Sequence, residues 1–361
     1  MNRVYNFSAG PAMMPVEVLE EAAKEMLNYK GCGSSVMELS HRSAEYKEIH
    51  EEAKNLLKEL MNLDDKHEIL FLQGGASSQF YMLPMNILNK EDRASYLITG
   101  SWAKKAYKEA KYFGQIDILA SSEDDNFTYI PEIKENNITK ESKYLYLCTN
   151  NTIYGTRIDP KTIKNLKSNI VADMSSNILS EEYDMNQFKI AFAGAQKNLG
   201  PSGLTVVVVE KDFIEENKKD LPSMLNYTTH LEKDSMYNTP PCYSIYMCGL
   251  VAKWMKNIGG VKKLEELNRE KAKLLYDFID NSKLYKNNIK KEDRSLMNIV
   301  FVTGDEELDK EFVKEAKAAN IVNIKGHRSV GGMRASIYNA MPIEAVEYLI
   351  NFMKDFEIQN K

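Results

Sequence analysis

The chain has 361 residues, of which 43% are apolar and 27% charged, and this ordinary composition excludes a disordered or fibrous protein. Its net charge of −5 gives no overall attraction to nucleic acid or to an anionic membrane, so any anion must be bound locally. At about 150 residues per domain, the length predicts two domains.

The sequence contains no clear pattern of a membrane span, a signal peptide or a metal-binding cysteine cluster. The longest clean apolar run, Val206 to Val209, is far shorter than the roughly 20 residues that span a bilayer. The N-terminal residues contain no basic segment followed by an apolar stretch, so we expect no signal peptide, no membrane association and a cytoplasmic protein. The cysteines lack metal-ligand spacing, which predicts free thiols and no bound metal.

Apolar residues at helical spacing predict two amphipathic helices early in the chain, one after Pro15 and one over residues 46–60. Short β-rich runs then alternate with helical stretches. The runs are 69–72, 96–98, 116–119, 144–147, 170–172, 190–192 and 204–209. Strands that alternate with helices predict an α/β fold with a mostly parallel, seven-stranded sheet covered on both faces.

The pattern changes after Pro241. A long helix through Trp254 and a charged helix over 261–279 are followed by a shorter alternation of strand and helix, which predicts a smaller α/β domain. Its predicted elements are a strand at 297–302, a helix at 306–319, a strand at 333–337 and a helix at 343–356. We therefore expect a large domain over 1–255 and a small domain over 256–361, with the first 15 residues packed against the small domain.

Small and aromatic residues follow the first predicted strands. In an open parallel sheet, ligands bind beyond the carboxyl ends of the strands, so these positions are informative. Residues 74–77 open a helix after strand 69–72, where free backbone N–H groups would bind a phosphate, although two glycines can also mark a simple turn. Trp102 follows strand 96–98, either as a core residue or as a flat surface for a planar ring.

A carboxylate and a lysine follow two neighbouring strands. Asp173 ends the strand that begins at 170, where it could equally cap a helix, and Lys197 follows strand 190–192 in a segment poor in charge. The number of residues between Asp173 and Lys197 suits one crossover connection between neighbouring strands, so the two side chains can face each other. Together with Trp102 and the phosphate-binding helix start, they fit pyridoxal phosphate. The amine would react with its aldehyde and move a proton, and the carboxylate would keep its ring nitrogen protonated.

A series of motifs then occurs in order along nearly the whole chain. They are Asn6 to Ala12, Ser40 to Ser43, Gly74 to Ala76, Trp102, Ala172-Asp173, Ala195 to Gly203, Asn238 to Pro241 and Gly326 to Arg328. Their sequences and spacing resemble the phosphoserine aminotransferase family, which belongs to the class V pyridoxal-phosphate-dependent aminotransferases. The resemblance implies a fold-type I transferase that forms a homodimer with active sites at the subunit interface.

The resemblance also implies site residues. Lys197, Asp173 and Trp102 would be catalytic. The cofactor would contact Ala76, Ser77, Trp102, Thr152, Asp173, Gln196 and Lys197, with Asn238 and Thr239 supplied by the partner subunit. Substrate would contact His41, Arg42, His327, Arg328 and Arg334. Bacterial members often have arginine where this chain has Ser77, so we expect backbone N–H contacts to the cofactor phosphate at that position but no side-chain contact to the substrate phosphate.

Basic residues support an anionic substrate independently. Two His-Arg dipeptides, at His41 and at His327, offer the planar forks that match phosphate or carboxylate, although each could lie on the surface by chance. Arg334 lies in an apolar strand, and an inward charge there requires an anion.

These observations predict transfer of the amino group of L-glutamate to 3-phosphohydroxypyruvate, giving O-phospho-L-serine and 2-oxoglutarate. The family implies 4-phosphohydroxy-L-threonine as a second substrate, and thus serine and pyridoxine biosynthesis. Another class V enzyme, such as an alanine-glyoxylate aminotransferase or a cysteine desulfurase, is an alternative, although a desulfurase needs a C-terminal nucleophile and no cysteine follows Cys248. A second alternative is a non-enzymatic protein that binds phosphorylated metabolites, but the presence of Lys197 and Asp173 favours an enzyme.

Overall fold

The computed structural model of the protein describes residues 3–360. Its helices are α1 (Val16–Glu25), α2 (Ala44–Leu60), α3 (Gly75–Ile87), α4 (Ser101–Ala110), α5 (Pro160–Ile163), α6 (Lys211–Glu216), α7 (Tyr227–Glu232), α8 (Cys242–Asn257), α9 (Gly260–Asn281), α10 (Glu306–Ala318) and α11 (Ile343–Gln359). Within residues 3–360, none of these helices is both long and apolar enough for a bilayer crossing.

The strands are β1 (Tyr5–Asn6), β2 (His67–Leu72), β3 (Arg93–Ile98), β4 (Gln115–Ser121), β5 (Ser142–Cys148), β6 (Asn150–Asn151), β7 (Thr156–Arg157), β8 (Ile170–Asp173), β9 (Phe188–Gly194), β10 (Thr205–Glu210), β11 (Asn298–Phe301), β12 (Ile321–Val322) and β13 (Met333–Ser336). Short 3-10 helices occur at Tyr29–Gly31, Val36–Glu38, Glu123–Asp125, Glu135–Asn137, Met185–Gln187, Ser223–Leu225 and Lys291–Asp293.

The central sheet has seven strands in the order β2-β10-β9-β8-β5-β3-β4. Strand β10 is antiparallel to both of its neighbours, and the other pairings are parallel. These are the seven predicted strands, so the predicted mostly parallel sheet is confirmed. The β10 sequence, with four consecutive valines, is buried on both faces, as expected for a strand inside such a sheet.

Two apolar cores cover the two faces of this sheet. Along β2, Ile69 and Phe71 belong to one core and Leu70 and Leu72 to the other, as the alternation of side chains in a strand requires. The first core contains α2 and α8, and the second contains α3 and α4. The sheet is therefore enclosed, and ligands can reach it only at its edges.

A third core lies in the C-terminal part of the chain, between the β11–β13 pair and helices α9, α10 and α11. Phe7, from the other end of the chain, is fully buried in it, and β1 pairs in parallel with β12. Leu264 of α9 still belongs to the first core, whereas Ala272 belongs to the third. The domain boundary at residue 255 stays a prediction.

Candidate active site

A cavity of about 340 Å³ lies beyond the carboxyl ends of the parallel strands. Strands β2, β3, β5, β8 and β9 run in one direction, so the segments that follow them meet at this edge of the sheet. Among the residues predicted from the sequence, the lining contains Ala76, Ser77, Trp102, Thr152, Asp173, Gln196, Lys197, His327 and Arg334.

Lys197 lies in the turn that follows β9, in which the backbone N–H groups of Leu199 and Gly200 both donate to the carbonyl of Ala195. Its Nζ donates to Thr152 Oγ1 at 2.8 Å. Burial lowers the pKa of Lys197 to about 8, and the opposing attraction of Asp173 is weaker. The amine is therefore partly unprotonated near neutral pH, as a lysine that attacks a carbonyl group must be.

Asp173 is the last residue of β8 and is buried. Its Oδ1 accepts a hydrogen bond from the backbone N–H of Ser175 at 2.9 Å. Burial raises the pKa of Asp173, while Ser175 and the charge of Lys197 oppose that rise. Asp173 is the only acidic residue in the described chain that lines the cavity, so it is the group available to bind a protonated ring nitrogen.

Trp102 lies at the second position of α4. Its Nε1 is buried and has no hydrogen-bond partner within residues 3–360. Phe80 packs beside the indole with ring centroids 6.4 Å apart, and Lys105 Nζ lies 4.3 Å from the centroid of the Trp102 ring. The indole is thus fixed at the cavity wall while its polar atom is left for a ligand.

The N-terminus of α3 forms another wall of the cavity. Gly74 and Gly75 have φ values of 90° and 66°, so the chain turns sharply from β2 into the helix. Apart from Gly75 itself, its two chain neighbours and the helix backbone, no atom of the described chain lies within 4 Å of the point where a Cβ on Gly75 would stand. Ala76 and Ser77 line the same cavity. Free N–H groups at such a helix start bind phosphate.

These residues fit pyridoxal phosphate. One cavity combines a lysine of lowered pKa, a buried carboxylate, an indole with an unpartnered N–H and a helix N-terminus. A lysine amine, a ring-nitrogen partner, a flat apolar surface and a phosphate site are the groups that this cofactor requires.

Two basic residues, Arg334 and His327, line the cavity. Arg334 on β13 donates from Nη1 to the carbonyl of Thr152 at 3.3 Å, and its Nε is buried without a partner in the described chain. Burial lowers the pKa of Arg334. Burial also lowers the pKa of His327, as do the charges of Arg334, Arg328 and Lys105. A carboxylate or phosphate can therefore supply the partner that Arg334 Nε lacks.

Other predicted residues lie outside this cavity. Asn238 and Thr239 are exposed and line a separate cavity of about 330 Å³. Thr239 Oγ1 lies 3.4 Å from His41 Nδ1, so these residues form one polar patch, next to which lies the exposed Arg42. Arg328 is also exposed and lines a different cavity, of about 690 Å³. Their roles in substrate or cofactor binding stay predictions.

Sequence reasoning missed several lining residues, including Ala9, Gly10, Ser175 and Ser176. A Cβ on Gly10 would lie 3.4 Å from Lys197 Cγ, so the N-terminal segment closely approaches the lysine. A signal was present for both groups, because Gly10 lies in a motif that was singled out and the serines directly follow the Asp173 strand.

Comparison with known proteins identifies the family. A model of the class V aminotransferases matches residues 4–349. A phosphoserine aminotransferase from Bacillus cereus is 52% identical over 362 residues, covering all of both chains. Another from Listeria monocytogenes is 54% identical, covering 99% of this chain and 97% of the relative.

Solved structures agree with this match. The phosphoserine aminotransferase of Bacillus circulans subsp. alkalophilus has a TM-score of 0.95 and 47% identity, covering 99% of each chain. The pyridoxal-phosphate-bound phosphoserine aminotransferase of Trichomonas vaginalis has a TM-score of 0.92 and 38% identity, covering 98% of this chain and 100% of that chain. The fold-type I architecture is therefore confirmed, and the chain belongs to the class V aminotransferase family, among the phosphoserine aminotransferases.

Proposed function

We propose that this aminotransferase moves the amino group of L-glutamate to 3-phosphohydroxypyruvate, giving O-phospho-L-serine and 2-oxoglutarate. The observation that carries the proposal is the single cavity in which Lys197, Asp173 and Arg334 meet. The names of the curated relatives, which match over the whole chain, support the phosphorylated substrate.

Pyridoxal phosphate is the cofactor, and when bound it supplies an electron sink for the electrons released at the substrate Cα. Lys197 would bind its aldehyde carbon and carry the proton to and from the substrate. Asp173 would accept a hydrogen bond from the ring nitrogen, and Trp102 would pack on the ring. Ala76 and Ser77 would donate backbone N–H groups to its phosphate, while Thr152 and Gln196 contact the lysine end of the site.

Arg334 would bind the α-carboxylate that every substrate of the reaction carries, because it lines the cavity that contains Lys197 and its Nε has no hydrogen-bond partner in the described chain. His327 would bind the distal anion, which is the phosphate of the keto acid or the side-chain carboxylate of glutamate. Arg328 would complete that anion site from the surface of the same chain, and Arg42 would complete it from a second copy; both are exposed, which leaves their guanidinium groups available.

We also propose a homodimer with shared active sites. His41, Arg42, Asn238 and Thr239 lie together on the surface but outside the Lys197 cavity, which supports their use in the site of a second copy. Through O-phospho-L-serine the enzyme would act in serine biosynthesis in the cytoplasm. 4-Phosphohydroxy-L-threonine carries the same phosphate and α-amino acid groups, and its use would link the enzyme to pyridoxine biosynthesis.

The two half-reactions test this function. Purified protein loaded with cofactor should be yellow, lose its visible absorption with L-glutamate, and regain it with 3-phosphohydroxypyruvate much faster than with hydroxypyruvate, pyruvate or glyoxylate. Faster recovery with glyoxylate would indicate the alanine-glyoxylate alternative, and no loss of absorption with any amino donor would indicate a binding protein.

The matched variant is Lys197→Ala. It should fold, but borohydride should no longer fix cofactor to the protein, as judged by the mass of the intact chain. Cofactor fixed to another lysine in this variant would contradict the role of Lys197.

A further inference from the structure

A buried amide side chain links the turn that carries Lys197 to the turn that follows β13. Asn198 Oδ1 accepts a hydrogen bond from the backbone N–H of Asn339 at 3.1 Å, and Asn198 Nδ2 donates to the carbonyl of Ile178 at 2.9 Å. Asn198 and Asn339 are 5% and 7% exposed, so water does not compete for these bonds. Lys197 and Arg334 therefore lie close in sequence to two residues that are bonded to each other.

The side chain of Asn339 extends the link. Its Nδ2 donates to the carbonyl of Leu179 at 2.9 Å, and its Oδ1 accepts from Asn268 Nδ2 at 2.8 Å. Asn268 of α9 is fully buried and also donates to the carbonyl of Ser180 at 2.9 Å. The segment 178–180 is thus held from both sides, by Asn198 and by the Asn339–Asn268 pair.

Helix α9 also fixes the turn that contains Asn339. Lys271, one turn after Asn268, donates from Nζ to the carbonyls of Ile337, Tyr338 and Met341 at 3.3, 2.9 and 3.0 Å. A buried amine with three carbonyl acceptors holds these backbone atoms in one arrangement, because any rearrangement would leave buried polar groups without partners.

Inside the cavity, the two functional side chains meet on the same residue. Lys197 donates to the hydroxyl of Thr152 and Arg334 to its carbonyl. Two sets of contacts therefore fix the separation of Lys197 and Arg334. One is their shared contact with Thr152 in the cavity, and the other is the group of buried asparagine side chains described above.

We propose that Asn339, acting with Asn198 and Asn268, is a positioning residue that holds Lys197 at a fixed separation from Arg334. This inference rests on the proposed function, because the separation matters only if Arg334 binds the carboxylate of a substrate at whose Cα Lys197 moves a proton. Misplacement of a reacting group by about 1 Å can lower a rate roughly a hundredfold.

The test compares Asn198→Ala, Asn339→Ala and the double variant with Asn86→Ala as control. Asn86 is a buried asparagine, 6% exposed, that makes three hydrogen bonds, to the carbonyls of Met82 and Leu225 and from the N–H of Tyr227, and is not part of the Asn198–Asn339 link. All the single variants should therefore lose similar thermal stability. Only the variants at Asn198 and Asn339 should lose rate.

We expect the limiting rate constant of the glutamate half-reaction to fall roughly ten- to a hundredfold in Asn198→Ala and in Asn339→Ala. The glutamate concentration that gives half of this limiting rate should change less than about threefold. Asn339→Ala keeps the backbone N–H that donates to Asn198 Oδ1 and removes the bonds to Leu179 and Asn268, whereas Asn198→Ala removes the bonds to Asn339 and Ile178. Because both sets of bonds hold segment 178–180, the double variant should be slower than either single variant but by less than the product of the two effects. Without substrate, the pH at which the visible absorption of the holoenzyme changes should move in both variants and not in Asn86→Ala, since it reports the surroundings of Lys197.

The outcomes separate this inference from the proposed function. A wild-type protein that does not react with glutamate overturns the proposed function and the positioning role together. If the wild type reacts with glutamate and Asn339→Ala has the same limiting rate and the same pH dependence of its absorption, the positioning role alone is overturned. Full additivity of the two effects in the double variant overturns it as well. Where Asn339→Ala yields too little folded protein, Asn268→Ala, which removes the donor to Asn339 Oδ1, is subject to the same criteria.

Discussion

The amine of Lys197 gives a prediction at the scale of a single residue. An unperturbed lysine has a pKa of about 10.4, whereas burial lowers the pKa of Lys197 to about 8. The protonated amine cannot attack an aldehyde, so the rate at which cofactor-free protein takes up pyridoxal phosphate should rise as the pH increases to about 8 and level off above it. Stopped-flow absorption between pH 6.5 and 9.5 measures this rate.

A lysine peptide treated in the same way is the control, because its rate should continue to rise toward pH 10. If the rate for the protein also rises through pH 9.5 without levelling, the amine is not held at a lowered pKa.

The arginines give a second prediction. Arg334→Ala should lower kcat/KM for phosphohydroxypyruvate and hydroxypyruvate alike, because both carry the carboxylate that Arg334 would bind. Arg328→Ala or Arg42→Ala should instead lower the preference for the phosphorylated keto acid about ten- to a hundredfold, since one charged hydrogen bond contributes about 1.5–3 kcal/mol.

These two variants should slow the glutamate half-reaction as well, because the distal carboxylate of glutamate would use the same pocket. An unchanged ratio of the two keto acids in both variants would mean that the phosphate is bound elsewhere.

The residues that sequence reasoning found and missed differ in how they reach the site. Asp173 and Lys197 directly follow strands whose hydrophobic pattern is clear, so the position of the strand predicts the position of the side chain. Gly10 reaches the same cavity from the opposite end of the chain, where β1 pairs with β12 and the backbone N–H of Ala12 donates to the carbonyl of Gln196. No local pattern encodes that pairing. The Asn198–Asn339 bond was missed for the same reason.

At the scale of secondary structure elements, the N-terminus of α3 gives a prediction about cofactor retention. Gly75→Ala would place a methyl group in the open space above the first turn of the helix. It should speed cofactor release by roughly tenfold or more, because a phosphate bound to N–H groups must approach the backbone closely. Loss of visible absorption during dialysis against phosphate-free buffer measures the release.

Gly33→Ala is the matched control. Gly33 also has a positive φ, at 83°, and an open position for a Cβ in the described chain, but it does not line the Lys197 cavity. Both variants should therefore carry similar backbone strain and lose similar thermal stability. Equal cofactor release from the two proteins would contradict a phosphate site at α3.

The central strands were predictable because each is a run of apolar residues between helical segments, whereas other features of the elements were not. The four-valine run of β10 indicates a buried strand but carries no information about its direction, which is antiparallel to both neighbours. Strands β1, β6, β7 and β12 have two residues each, too few for any periodicity. Only their partners in the folded chain define them.

At the scale of the whole molecule, the proposed sharing of active sites predicts recovery of activity in mixed dimers. Lys197→Ala alone and Arg42→Ala combined with Thr239→Ala should each be nearly inactive. In a dimer that combines them, one site receives both defects and the other receives none. Refolding an equal mixture should therefore restore about a quarter of the wild-type activity, since half of the dimers are mixed and each has one intact site.

The two chains can carry different affinity tags, so that mixed dimers are purified before the assay. The control mixes two preparations of Lys197→Ala, which should stay inactive. Verified mixed dimers without activity would show that each chain builds its site alone.

The pairing of β1 with β12 also sets a sequence of events during synthesis. Tyr5 and Asn6 leave the ribosome first, but Ile321 and Val322, with which they pair, are made near the end. At about 5–20 residues per second the N-terminal segment waits roughly 15 to 60 seconds, with the ring of Phe7 exposed until the third core exists to bury it. The nascent chain therefore cannot complete the wall that Ala9 and Gly10 provide, and its capacity to retain cofactor should arise only after Ile321 and Val322 have been made.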